Sequence, residues 1–344
     1  MNTKIRRVDA RQILDCKARP MLEVDVYTED GVLGRGSAPT GTSVGMYESF
    51  VLRDGDPADY GGMSVHTAVR YVKEIIGPAL IGMDVTDQAA VDRKMIQLDG
   101  TPNKQKLGGN TIYSVSIACL RAAAAAQKVP VYRLLAGGPL EIIPLPTFNV
   151  VNGGRNGGVV QAFNEFILVP YGARTVEEAV AMGIQVFQRL KPVIAAYQNG
   201  REPLVGGSYG WAAPSSDPEA VLGLMADAVN QCGLTGRMAY ALDCASSEMY
   251  DRDTATYELD GRRVSSDEII GCIRSLSEKF PLVFAEDILD ENDWDGFEKA
   301  HREITRTNLI GDDLIVTNRA RLERACRLNA IDGFILKPNQ VGTI

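Results

Sequence analysis

No stretch of this 344-residue sequence stays apolar for the length of a bilayer crossing, although 45% of its residues are hydrophobic. A membrane-spanning helix needs about 20 such residues in a row, so none is expected, and the chain is not polar enough to be disordered. Basic clusters are also missing: 36 Lys and Arg face 44 Asp and Glu, for a net charge of -8 and a pI near 5.0. Binding to a phosphate backbone depends on concentrated positive charge, so nucleic acid is not an expected partner. The six cysteines, Cys16, Cys119, Cys232, Cys244, Cys272 and Cys326, stand singly, with no pair at zinc-ligand or redox spacing. They read as ordinary buried thiols of a reducing cytoplasm. The opening MNTKIRRVDARQ lacks the apolar core of a secretion signal, and only two histidines occur, His66 and His301.

What is present divides near residue 140. Residues 4–15, 22–28 and 32–38 read as strands, the last two turned over Glu29-Asp30-Gly31, an Asp-Gly hairpin signal between alternating residues. Helical patterns follow around 64–77, 85–98 and 109–129, the last carrying the close-packing run Ala122 to Ala126. Residues 1–140 are therefore expected to form an α+β domain. From 141 to 344 strand and helix alternate: a strand at 163–169, helices at 175–198, 217–232 and 265–279, and strands at 238–243, 281–286, 308–312 and 333–337. Asp217-Pro218 and Ser265 with Glu268 are helix-start signals. The alternation predicts a parallel β/α barrel. Too few parallel strands are counted to close eight, which predicts an open edge and a chain that is either part of a longer one or completed by a partner.

Four of these runs each end on one ionisable residue. Asp243 follows Met238–Leu242, Glu286 follows Pro281–Ala285, Asp312 follows Asn308–Gly311, and Lys337 follows Gly333–Leu336. The gaps of 43, 26 and 25 residues each hold a strand, a helix and two loops, so successive parallel strands would carry all four side chains to one rim. Any one of these acids could be a helix cap or a solvated loop charge. Three carboxylates and an amine on one rim, however, read as a metal-assisted proton-transfer site.

The residues around these positions resemble the enolase family. The resemblance rests on Ile13-Leu14-Asp15, Glu23-Val-Asp-Val26, Gly41-Thr-Ser-Val-Gly45, Leu52-Arg-Asp-Gly-Asp56, Lys106-Leu107-Gly108 and Phe148-Asn-Val-Val-Asn-Gly-Gly154. It continues through Glu165-Phe166, Asp243-Cys-Ala-Ser-Ser-Glu248, Glu286-Asp287, Gly311-Asp-Asp-Leu-Ile-Val-Thr-Asn318 and Leu336-Lys-Pro-Asn-Gln-Val-Gly342. It implies an N-terminal capping domain, a modified barrel, a homodimer, and the magnesium-dependent interconversion of 2-phosphoglycerate and phosphoenolpyruvate. Position by position, it implies Asp243, Glu286 and Asp312 as magnesium ligands and Lys337 as the general base. Glu165 matches an acid-side carboxylate, and Ser43 matches a lid serine that helps hold a second metal and the phosphate. A lysine base beside magnesium is the known arrangement of enolase-superfamily sites, not something the spacing shows.

The departures are specific. Where the family has a Gly-Asp-Glu-Gly-Gly stretch, this chain has Gly207-Ser-Tyr-Gly-Trp211, so Tyr209 stands in place of an acid. A phenol, with a pKa near 10, is a far weaker proton donor than a carboxyl group, and packing beside Trp211 is the other reading. The substrate-closing loop reads Asn152-Gly-Gly-Arg-Asn156, with Asn156 in place of the expected histidine. The family's Ser-His-Arg-Ser phosphate motif and second lysine would follow residue 344. The expected activity is an enolase-type lyase acting on a small phosphorylated or phosphonylated carboxylic acid, with Asn156, Ser43 and Lys337 as substrate contacts. The alternatives are a diverged paralogue resembling the carboxyphosphonoenolpyruvate synthases, and a non-catalytic binding protein that keeps the fold.

Overall fold

The structure is a computed structural model that describes residues 2–39, 41, 45–154 and 163–344. The chain divides into two compact units, one of Met1–Ile142 with Val316–Asn318 and Leu336–Ile344, the other of Ile143–Ile315 with Arg319–Ile335.

The first unit opens with three antiparallel strands, β1 (Ile5–Leu14), β2 (Pro20–Thr28) and β3 (Leu33–Ser37), in that order across the sheet. The turn between β2 and β3 closes through Gly31 N–H to Thr28 O at 2.9 Å, with Gly31 at φ +79°, a conformation open to glycine at little cost. The helix Gly109–Gln127 packs on this sheet. The contact is unusually close because β3 carries Gly34 and Gly36. A Cβ at Gly34 would lie 2.1 Å from the Ala118 carbonyl oxygen, and one at Gly36 would lie 2.5 Å from that of Ser114. The alanine run is accordingly buried at Ala122, Ala123, Ala124 and Ala126. Small residues on both sides bring the backbones together.

The second unit is built on seven strands that form one sheet. In chain order they are β4 (Phe148–Asn152), β5 (Glu165–Val169), β6 (Trp211–Ala212), β7 (Ala239–Asp243), β11 (Leu282–Glu286), β12 (Asn308–Gly311) and β13 (Gly333–Phe334). Across the sheet the order is β13-β12-β11-β7-β5-β4-β6. A separate antiparallel sheet of β8 (Tyr250–Asp251), β9 (Thr256–Leu259) and β10 (Arg262–Val264) lies between β7 and β11 in the chain. Helices Val176–Tyr197, Pro218–Gln231, Ser266–Lys279, Trp294–Glu303 and Arg319–Leu328 alternate with the strands. Their starts follow the sequence signals: Thr175, Asp217 and Asp293 accept first-turn N–H groups, and Ser265 with Glu268 forms a reciprocal capping box.

The structure corrects several expectations. β5 is not parallel to its neighbours; it runs antiparallel to both β4 and β7. The segment from Asn152 to Glu165 is short, and short connections join antiparallel strands whereas parallel ones need a longer crossover. The run at 333–337 is a strand only over Gly333–Phe334, so Lys337 stands beyond it and precedes the short helix Pro338–Val341. The small sheet at 250–264 has no counterpart in the strand-helix alternation. The cysteines are not uniformly buried: Cys119 and Cys244 are, but Cys16, in the β1–β2 turn, and Cys326, on the open side of its helix, are exposed. Among the described residues, β13 and β6 are the edges of the large sheet, and no helix is long and apolar enough to cross a membrane.

Candidate active site

Side chains alternate across a strand, and this decides which way the carboxylates of the second unit point. Phe166 and Leu168 of β5, Tyr240 and Leu242 of β7, and Ala285 of β11 join the main core of the unit. Ile167, Val169, Ala239 and Ala241, with Phe284 against them, form a separate small cluster on the other face. Glu165, Asp243 and Glu286 follow the phase of this second set. Register then aligns them: Glu165 pairs with Asp243 across β5 and β7, and Glu286 pairs with Asp243 across β11 and β7. Three carboxylates therefore stand side by side at one end of the sheet. Glu165 joins them because β5 is antiparallel, which brings the first residue of that strand level with the last residues of β7 and β11.

Asp312 follows the last residue of β12 and is buried, as is Glu286. Oxygens of Asp243, Glu286 and Asp287 lie within 4.8 Å of one another, and those of Asp287, Asp312 and Asp313 form a second such group. Asp287 belongs to both. Burial first, and Glu165 second, push the Asp243 carboxyl up to about 7, and Asp312 adds to this. Asp287 is also raised, by burial and then by Asp313 and Asp243. Crowded, buried carboxylates of this kind are stabilised by a cation, and an all-oxygen donor set suits a hard divalent ion such as magnesium. The residues present fit the group.

Neighbouring groups orient these acids. Asp243 accepts the Ala245 N–H at 2.9 Å on one oxygen and the Asn164 carboxamide N–H at 3.0 Å on the other. Asp287 accepts backbone N–H groups from Asp312 at 3.1 Å, Asp313 at 2.7 Å and Leu314 at 3.4 Å. The sequence pattern alone does not mark Asn164 or Asp287 as a site residue. Their positions beside Glu165 and Glu286 in the chain were the available signal.

Tyr209 is 54% exposed and stands at φ +67° in the turn between Val205 and Trp211. That turn is fixed to β4 through the buried Asn152, whose side-chain oxygen accepts the Gly210 N–H at 2.7 Å and the Ser208 N–H at 3.3 Å. Trp211 stacks on Phe187 at a centroid distance of 5.2 Å, so the packing role in this turn belongs to Trp211. Lys337 is exposed and belongs to the first unit, where its backbone N–H donates to the Thr317 hydroxyl at 2.8 Å. Ser43 and Asn156 lie outside the described residues. The two histidines are engaged elsewhere, His66 with Asp59 at 2.9 Å and His301 with Asp332 at 3.0 Å.

Comparisons with known proteins give the family. Residues 5–135 match the family model described as enolase, N-terminal domain, and residues 140–344 match that of the enolase C-terminal TIM barrel domain. The enolase of Methanopyrus kandleri (strain AV19) is 40% identical over 344 residues, a span covering 99% of this chain and 80% of that protein. A fold of this kind, acids aligned at one end of its sheet, two family models in sequence and a relative alike over nearly the whole chain make this protein a member of the enolase family of hydro-lyases.

Proposed function

We propose that the chain is a magnesium-dependent lyase that interconverts 2-phosphoglycerate and phosphoenolpyruvate, or a close phospho or phosphono analogue. The observation that carries this is the alignment of Glu165, Asp243 and Glu286 across three adjacent strands, with Asp312 following the next. Asp243, Glu286 and Asp312 would hold the ion, with Ser43 assisting at a second metal. When bound, magnesium supplies positive charge that lowers the cost of developing negative charge on a substrate carboxylate. Lys337 then removes the proton from the carbon next to that carboxylate. Glu165 serves the acid side, where the hydroxyl leaves with a proton as water, and Tyr209 occupies the position of the family's other acid. Asn156, Ser43 and Lys337 contact the substrate. The resemblance to the family supports a cytoplasmic homodimer.

A second reading is favoured by Tyr209. Its turn is pinned to β4 through Asn152, which supports reading Tyr209 as a fixed replacement for the family's acid. This fits a paralogue that makes the same enolate-like intermediate and partners it differently, as in carboxyphosphonoenolpyruvate-type chemistry. Ultraviolet absorbance separates the two. With 2-phosphoglycerate and magnesium, the first reading expects phosphoenolpyruvate to accumulate. A folded, magnesium-binding protein that forms none overturns 2-phosphoglycerate as the substrate and leaves the second reading standing.

A further inference from the structure

The rim of the second unit is made of three chain segments that end or follow different strands: 243–246 after β7, 286–287 at the end of β11, and 312–314 after β12. Asp287 contacts both of the other segments. Its carbonyl oxygen accepts the Ser246 N–H at 3.0 Å, in the turn just after Asp243. Its own N–H donates to Ile310 O at 3.0 Å, extending the pairing of β11 with β12 by one residue. Its carboxylate accepts the N–H groups of Asp312, Asp313 and Leu314, the last being the longest at 3.4 Å. The residue is 3% exposed and takes φ +44°, an uncommon conformation for a side chain other than glycine, asparagine or aspartate.

By distance alone Asp287 is a candidate metal ligand, since it belongs to both acidic groups. Its hydrogen bonds argue otherwise. One oxygen accepts from Asp312 and Leu314 and the other from Asp313, so both are committed to the backbone of the loop that carries Asp312. We infer that Asp287 is a positioning residue rather than a ligand: it clamps the Asp312 loop and ties it to the turn after Asp243, setting the separation of two acids that the proposed function assigns to magnesium. The inference rests on that assignment. Asparagine has the same shape but only one acceptor oxygen; its NH2 group would face a backbone N–H, donor against donor.

The test is a magnesium titration followed by thermal denaturation, with MgCl2 as the only ligand, on the parent, Asp287→Asn and Asp243→Ala. Partners that orient metal ligands are worth about 10–100-fold in metal affinity. Asp287→Asn is therefore expected to reach a saturating shift comparable to the parent's, at a magnesium concentration at least about tenfold higher, while Asp243→Ala shows no saturable shift. An unchanged midpoint in Asp287→Asn overturns the inference, because a residue that only supports the fold would lower the melting temperature without moving the midpoint. Loss of all shift, as in Asp243→Ala, also overturns it by making Asp287 a ligand. If Asp287→Asn does not fold, amide exchange of the parent in chelator decides: the N–H groups of Asp312 and Asp313 should be protected, and free exchange there overturns the clamp. A parent with no magnesium shift would sink the metal assignment instead, and the exchange measurement would still judge the clamp.

Discussion

Replacing Asp243 with asparagine should make the metal-free protein more stable than the parent at pH 8, but not at pH 5. Asp243 is held in the folded protein at about 7, against an ordinary value of 3.8, chiefly by burial and then by Glu165 beside it. A carboxyl group raised in this way binds its proton more tightly folded than unfolded. Its ionisation therefore costs nothing below pH 4, and the cost grows as pH rises through the window from about 4 to about 7 and is constant above. The full difference corresponds to ~4 kcal/mol at about 1.4 kcal/mol per pKa unit. The residue is partly exposed, so solvent screening reduces this to about half, ~2 kcal/mol. The introduced carboxamide keeps an acceptor for the Ala245 N–H but presents an NH2 group to Asn164, a loss of about 1 kcal/mol. The variant should therefore trail the parent by about 1 kcal/mol below pH 4, come within a few tenths of it at pH 5, and lead it by about 1 kcal/mol at pH 8. The measurement is urea or thermal unfolding of both proteins in EDTA across this range. A difference that stays flat with pH, or that turns further against the variant as pH rises, would refute the account of Asp243. Because Glu165 shares the charge, Glu165→Gln should weaken the same pH dependence in the parent background.

Two further outcomes are expected. In deuterated buffer with 2-phosphoglycerate and magnesium, exchange at the carbon next to the substrate carboxylate should persist in Tyr209→Phe and fall by at least about a hundredfold in Lys337→Ala, the size of contribution a general base makes; exchange at the parent rate in Lys337→Ala excludes it as the base. Ser265→Ala removes one half of the capping box at the start of Ser266–Lys279 and should cost about 1 kcal/mol in unfolding measurements, and an unchanged stability would show that the cap does not matter to this helix.

Much of the second unit was legible locally. Asp217-Pro218 and Ser265 with Glu268 start helices where the sequence signals place them, because capping depends on residues a turn apart. Asp243 and Glu286 close the strands that the apolar runs predict, and Asp312 follows the third. Lys337 shows the limit of the same reasoning. Gly333–Leu336 looks like a fourth strand of the series, yet only Gly333 and Phe334 pair with β12, and whether a neighbour continues the ladder is not written in the run itself. The clamp by Asp287 was hidden for a related reason: its partners are backbone N–H groups 25 to 27 residues away, which leave no trace in side-chain identity.

The residue types at the strand ends are read directly from the chain, and the alternation of each strand puts Glu165, Asp243 and Glu286 on one face with Ile167, Ala241 and Phe284. These are local consequences of backbone geometry. The direction of β5 is set by the folded arrangement. Had it run parallel to β7, as the alternation suggested, Glu165 would stand at the opposite end of the sheet from Asp243. Strand direction is settled by pairing between segments far apart in the chain, so the rim became a site of three aligned carboxylates only on folding.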